Sequence, residues 1–446
     1  ALAWVGMGQV RGWSPRTLGS ALEARRVAMR YVDRLSDREA TVLRAWVHYG
    51  QREPAGITLL EDFVRRHPDV AEAWVVLSEF PMHRRGATPA PRDSVYALAR
   101  KAAELEPGFA PHYLHLVPLA AGLNDSIAAG EWAAAYSAAG GAESDNIAAG
   151  WDQLDLYFGA NRTQEEIAAA ARTDVQPMGA VIPADRLGRL LPIMRALERA
   201  TANSSVGSRT ALVGGYATTA LNAGALREFE AFVTDAVPGW SPTARVALRI
   251  LGQRAYGRDS DDSIHEAVAA LDCNSDIACV DLEVLRVQHA ALAEHDGEAE
   301  QAFDELDRLL ASARSSGSPD TVRLADKATG ARAIWLLASG DPDGAHALWE
   351  SLRGQRDFRP FEAALAADGA GQIERAEWLY RVASDWGVEK AFAARLLADF
   401  YERRGRPTEA LREYRRLLLM WEFADADLPQ LAEAQAALAR LEAAAS

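Results

Sequence analysis

Four times in the second half of the chain the same residue types return in the same order: a small residue, a glycine seven positions on, a small residue five further, and a large one four after that. The sets are Ala290, Gly297, Ala302, Leu306; Ala333, Gly340, Ala345, Trp349; Ala364, Gly371, Ala376, Tyr380; and Ala398, Gly405, Ala410, Tyr414. Each reads as a helix, a glycine-ended turn and a second helix. Two helices approach to about 8 Å only where no large side chain intervenes, and glycine supplies the positive φ of a helix C-cap. At 446 residues the chain exceeds the roughly 250 to 300 residues one core supports, so it grows by addition of such units.

The pattern resembles the tetratricopeptide repeat, a family of helical hairpins about 34 residues long. The N-terminal third carries that family's boundary proline, with Pro68 six residues before Trp74 and Pro107 six before Tyr113. The resemblance implies an all-α fold, an α-solenoid of hairpins wound into a right-handed superhelix. Three segments are expected: an N-terminal array over 1–172, an irregular seam over 173–207, and a C-terminal array over 208–446 that ends in a capping helix, about Leu428 to Ala443.

Composition narrows the partners. Net charge is −15, and residues 1–125 carry 16 Lys and Arg against 14 Asp and Glu, leaving 32 against 49 for the remainder. That balance argues against nucleic acid or anionic lipid, which need a basic footprint. No run of about 18 apolar residues is present to span a membrane. The chain begins at Ala1 inside an apparent helix carrying Trp4, which reads as a processed chain or a piece of a longer protein.

Along the chain, Leu18 to Leu35 reads as a helix. Ser36 and Glu39 form a capping box that opens the next. A helix over Glu72 to Phe80 is expected to stop at Pro81, before a basic insertion, Met82 to Arg92. Tyr113 to Ala121 pairs with Ile127 to Ala138, and Asp145 to Phe158 with Thr163 to Arg172. Pro177, Gly179, Pro183, Pro192 and the polar stretch Thr201 to Ser205 break the register, which returns at Ala217 and Gly224.

Chemical motifs are few. Cys273 and Cys279, the only cysteines, lie close enough in sequence for a local disulfide if the compartment is oxidising. Asp272, Asn274, Asp276 and Glu283 imitate a calcium loop, but Ile277 stands where the sharp turn needs glycine; Ser275 and Asp276 read instead as a helix cap. The run Gly6 to Gly12 has its third glycine one residue late for a dinucleotide site. His112 and His115 share a helix without further ligands in sequence. Trp74, Trp335, Trp349 and Trp378 recur at repeat positions as core wedges. No P-loop, zinc-protease pair or nucleophile elbow occurs, so neither catalysis nor a cofactor nor a metal is expected.

By the family alignment the concave face takes Val246, Arg249 and Gln253; Val284, Val287 and Ala291; Phe358, Phe361 and Leu365; and Phe392, Arg395 and Asp399. Arg249, Gln253, Phe358, Phe361, Phe392, Arg395 and Asp399 are therefore the expected partner-binding residues, with a protein or peptide as ligand. The stretches 35–39, 68–74 and 105–113 also look like repeat regions attached to bacterial serine/threonine kinases and winged-helix signalling regulators. That implies a bacterial sensor or docking segment outside the cytoplasm. The competing expectation is a structural scaffold subunit of a larger assembly.

Overall fold

Small residues at the helix crossings decide the architecture. In the computed structural model, Ala290, Ala302, Ala333, Ala345, Ala364, Ala376, Ala398 and Ala410 are all at most 2% exposed, each where two helices of a hairpin meet. The structure describes residues 18–51, 53–83, 88–141, 187–200, 206–234, 241–257, 261–355 and 357–445. Among these there are helices and turns but no strand: the fold is an α-solenoid of hairpins. The helix carrying Trp4, the Gly6 to Gly12 run, the hairpin expected over 145–172, residues 84–87 of the basic insertion and most of the seam lie outside the described residues.

Contacts gather the chain into two compact units. The first contains α1 (Leu18–Met29), α2 (Asp37–Gln51), α3 (Ala55–Arg66), α4 (Ala71–His83), α5 (Arg92–Leu105), α6 (Leu116–Gly122) and α7 (Ser126–Ala138). The capping box at α2 is formed: Ser36 N–H donates to Glu39 Oε2 at 2.9 Å and Glu39 N–H to Ser36 Oγ at 3.3 Å. Phe63, Phe80, Tyr49 and Leu60 fill the space between α2, α3 and α4. One expectation is corrected here. Helix α4 does not stop at Pro81 but runs to His83, because a proline in the last turn removes a single backbone hydrogen bond that packing of the buried Pro81 and Met82 offsets.

The second unit contains α8 (Leu187–Ala200), α9 (Val206–Asn222), α10 (Leu226–Thr234), α11 (Pro242–Tyr256), α12 (Asp261–Ala269), α13 (Asp276–Ala293), α14 (Asp296–Ser315), α15 (Thr321–Ala338), α16 (Pro342–Ser351), α17 (Pro360–Gly369), α18 (Ile373–Trp386), α19 (Lys390–Arg403), α20 (Pro407–Met420) and α21 (Pro429–Ala445). Pro242, Pro342, Pro360 and Pro407 each open a helix, where the missing N–H costs nothing. Gly340, Gly371 and Gly405 take φ of +83°, +70° and +68° at the hairpin turns. Gly297 does not: it lies in the first turn of α14, and the left-handed residue is Glu294, at φ 57°. The hairpin there turns three residues earlier than the glycine suggests. Part of the expected seam is regular, with 187–200 and 206–207 helical. Ser275 Oγ caps α13 by accepting from Ala278 N–H at 3.3 Å.

An ordinary solenoid touches only its neighbours in sequence. This unit bends back on itself, so that α8 and α9 meet α19 and α20. Arg189 on α8 donates to Glu422 through Nε at 2.9 Å and Nη2 at 3.0 Å. Asp425 receives the Arg227 backbone N–H of α10 at 2.9 Å and gives its own N–H to the Gly224 carbonyl at 3.0 Å. Gly224, at φ +69°, lies so near Ala424 and Leu428 that a Cβ there would sit 2.8 Å from the Ala424 Cβ.

Candidate functional site

Bending the second unit turns the first helices of successive hairpins toward one another. Between α9, α11, α13, α15 and α17 they enclose a cavity of about 1110 Å³. Its walls are apolar, with Leu248, Leu251, Leu285, Leu292 and Ile334 among them, because these positions alternate with the buried faces that hold each hairpin together. Phe358, Phe361 and Trp386 close one side.

Charged groups in the lining are few: Arg254, Asp281, Arg359, Glu362 and Glu389. Arg254 Nη1 lies 3.4 Å from Glu362 Oε1, and its guanidinium sits 5.0 Å from the Phe361 ring centre; Arg359 Nη1 lies 3.8 Å from the same carboxylate oxygen. Glu389, at the start of α19, lines the same cavity. Burial, with the Glu362 carboxylate close by, pushes the Glu389 carboxyl up to about 7. A few charged groups set in a large apolar cavity orient a ligand, and the walls supply the contact area.

The residues expected from sequence are brought together only in part. Phe358 and Phe361 reach the cavity, although Phe361 is 1% exposed and packs on Phe392 at 5.3 Å between ring centres. Val284 and Ala291 also line it. Arg395 instead stacks over Phe392 at 5.4 Å and approaches Glu433 at 4.0 Å. Asp399 accepts from the Tyr414 hydroxyl at 2.6 Å, and Arg249 Nη2 donates to Ser263 Oγ at 2.6 Å. Val246 and Val287 are buried in the packing between helices. Phe358 and Phe361 thus stand in one lining with Arg254, Glu362 and Glu389, which the repeat arithmetic does not single out, while Phe392, Arg395 and Asp399 make their contacts elsewhere. Cys273 and Cys279 are joined by a disulfide, with Cα atoms 4.9 Å apart, across the connection that leads into α13. Glu283 is buried and paired with Arg286 at 2.7 Å, away from the acidic residues that precede it.

The first unit has a smaller cavity of about 220 Å³ with walls part polar and part apolar. His112 and His115 turn to different carboxylates there, Glu106 at 3.0 Å and Glu79 at 2.7 Å, so they do not converge. Burial works against the charge on Glu79, but the imidazoles of His115 and His83 overcome it and hold its carboxyl down at about 2. Burial likewise opposes the charge on His115, and Glu79 outweighs it and raises the imidazole.

No helix among the described residues is long and apolar enough to cross a membrane. No protein-family model matches the chain, and no curated protein is similar to it in sequence. Among solved structures, the P58(IPK) TPR domain is 12% identical over 92% of this chain and 99% of its own, with a TM-score of 0.25. The structure of Naa15/Naa10 bound to HypK is 13% identical over 96% of this chain and 69% of the matched one, with a TM-score of 0.24.

Proposed function

We propose that the chain is a non-catalytic protein-binding module whose second unit takes a peptide segment into the space ringed by its first helices. The observation that carries this is the largely apolar cavity of about 1110 Å³ with few charged groups in its lining. The ligand of best fit is an extended apolar stretch bearing one cationic side chain. Its walls would bury the apolar part, and the cation would pair with Glu389, whose ionisation the surroundings otherwise hold back. A bacterial signalling role, as a sensor or docking segment, agrees with the resemblance of 35–39, 68–74 and 105–113 to kinase-attached repeats. The Cys273–Cys279 disulfide favours an oxidising compartment, since such bonds rarely persist in a reducing cytosol.

Selection of peptides from a random display library on the full chain tests the reading. Peptides with an apolar run and a Lys or Arg should be enriched, and Ala247→Trp, which fills the cavity, should weaken their binding by about a hundredfold. Enriched peptides that bind Ala247→Trp as tightly as wild type would move the site off the cavity and favour a scaffold role through other faces.

A further inference from the structure

Three of the nine histidines lie within 3.6 Å of one carboxylate, and two of them, His265 and His289, converge with it closely enough to share an ion. His265 comes from α12, His289 from the last turns of α13, His295 stands at the N-cap position of α14, and Glu298 lies in the first turn of α14. The left-handed Glu294 folds the chain back tightly enough to bring His295 and Glu298 beside His289. His265 Nδ1 lies 3.5 Å from Glu298 Oε1, His289 Nδ1 3.6 Å from Oε2, and His295 Nδ1 3.6 Å from Oε1.

These separations are long for hydrogen bonds, which fall at about 2.7 to 3.2 Å. They match two atoms bound to one ion. With metal–ligand bonds of about 2.0 to 2.1 Å, the edge of a tetrahedron is about 3.3 Å. His289 Nε2 lies 3.3 Å from the Asp261 carbonyl, which leaves its Nδ1 turned toward Glu298. A ligating imidazole whose other nitrogen donates to a backbone carbonyl is the usual outer arrangement of a metal site, and His289 is 1% exposed.

We propose that His265, His289 and Glu298 bind one divalent transition metal of the zinc class, with His295 beside the carboxylate. Imidazoles with a single carboxylate suit zinc, nickel or copper better than magnesium or calcium, which prefer all-oxygen shells. The three ligands stand on three successive helices, so the ion ties those helices together. It joins the end of α13 to α12 and α14, while the disulfide fastens the start of α13. Because α13 also walls the cavity, metal loading sets the position of that wall. The Glu79, His83 and His115 group in the first unit differs: Glu79 and His115 are 2.7 Å apart, a direct hydrogen bond with no room for an ion between them.

The test is titration of the chelator-stripped full chain with zinc chloride, read by competition with a chromogenic chelator. The expected result is one tightly held equivalent, weakened by about a hundredfold or more in His265→Gln/His295→Gln. Both imidazoles are half exposed, at 54% and 50% of the side chain, so this variant keeps its fold. Cobalt should give the intense visible absorption of a four-coordinate ion in wild type and lose it in the variant. His83→Gln should change neither reading. Wild type that takes up no zinc overturns the proposal, as does uptake that survives in the double variant or disappears in His83→Gln.

Discussion

Asn222 at the end of α9 caps a helix that begins 168 residues later. Its Oδ1 accepts the Ala391 backbone N–H at 3.0 Å, while its Nδ2 donates to the Val388 carbonyl at 2.6 Å. Helix starts leave N–H groups without partners, and here the cap comes from the other end of the unit in place of the adjacent Glu389, whose side chain makes no cap. Asp425 does the reverse for α10 through Arg227 N–H. Asn222→Ala leaves the buried Ala391 N–H unpaired, at about 1–3 kcal/mol, and loses the bond to the Val388 carbonyl as well. Urea unfolding should show a loss of about 2–4 kcal/mol, and a loss under about 0.5 kcal/mol would deny the cap its role.

Glu294 holds a left-handed conformation that costs an L residue about 1–2 kcal/mol, against the 0.4–1 kcal/mol of extra chain entropy a glycine loses on folding. Glu294→Gly should therefore stabilise the second unit by roughly 0.5–1 kcal/mol. Gly405→Ala, at φ +68°, should destabilise it by about 1 kcal/mol. Thermal unfolding of the two variants should shift in opposite directions.

The buried Glu79–His115 pair makes the first unit sensitive to pH at both ends. His115 titrates higher folded than its ordinary 6.5, so its contribution is complete below that pH and is lost as pH rises through the raised value. Glu79 titrates at about 2 instead of 4.5, so its contribution is complete above pH 4.5 and is lost as pH falls toward 2. The stability difference between wild type and His115→Gln should be greatest near pH 5 to 6 and shrink on the alkaline side. A difference independent of pH from 5 to 9 would show the pair to be uncharged.

Glu389 has the opposite sign for a carboxyl. Its folded value of about 7 exceeds the ordinary 4.5, so the stability it contributes is full below pH 4.5 and is lost as pH rises through 7. Glu389→Gln should match wild type near pH 4 and exceed it at pH 8 in denaturant unfolding. An excess at pH 4 that vanishes at pH 8 would contradict the assignment.

Hairpins are legible in sequence because the requirement at a crossing is local: a residue without bulk at a fixed distance from a turn. The eight buried alanines, Tyr380 and Tyr414 follow from spacing alone. Small errors appear where a competing interaction wins, as at Pro81, kept helical by burial, or Glu294, which turns where a glycine was expected. The cavity is not legible. It depends on a small rotation per hairpin summed over many, and on contacts such as Arg189 with Glu422 that no period encodes. The histidine cluster left a faint trace: His265, His289 and His295 crowd into a short span of a histidine-poor chain. Only the tight turn at Glu294 reveals that they face one another.

Open repeat arrays gain and lose units easily, since a duplicated hairpin finds the same neighbour on either side. In the second unit such an event would carry Ala391 away from Asn222 and Glu422 away from Arg189, uncovering helix ends and a buried guanidinium together. Its number of hairpins is therefore locked, and its descendants are free to vary by substitution but not by duplication.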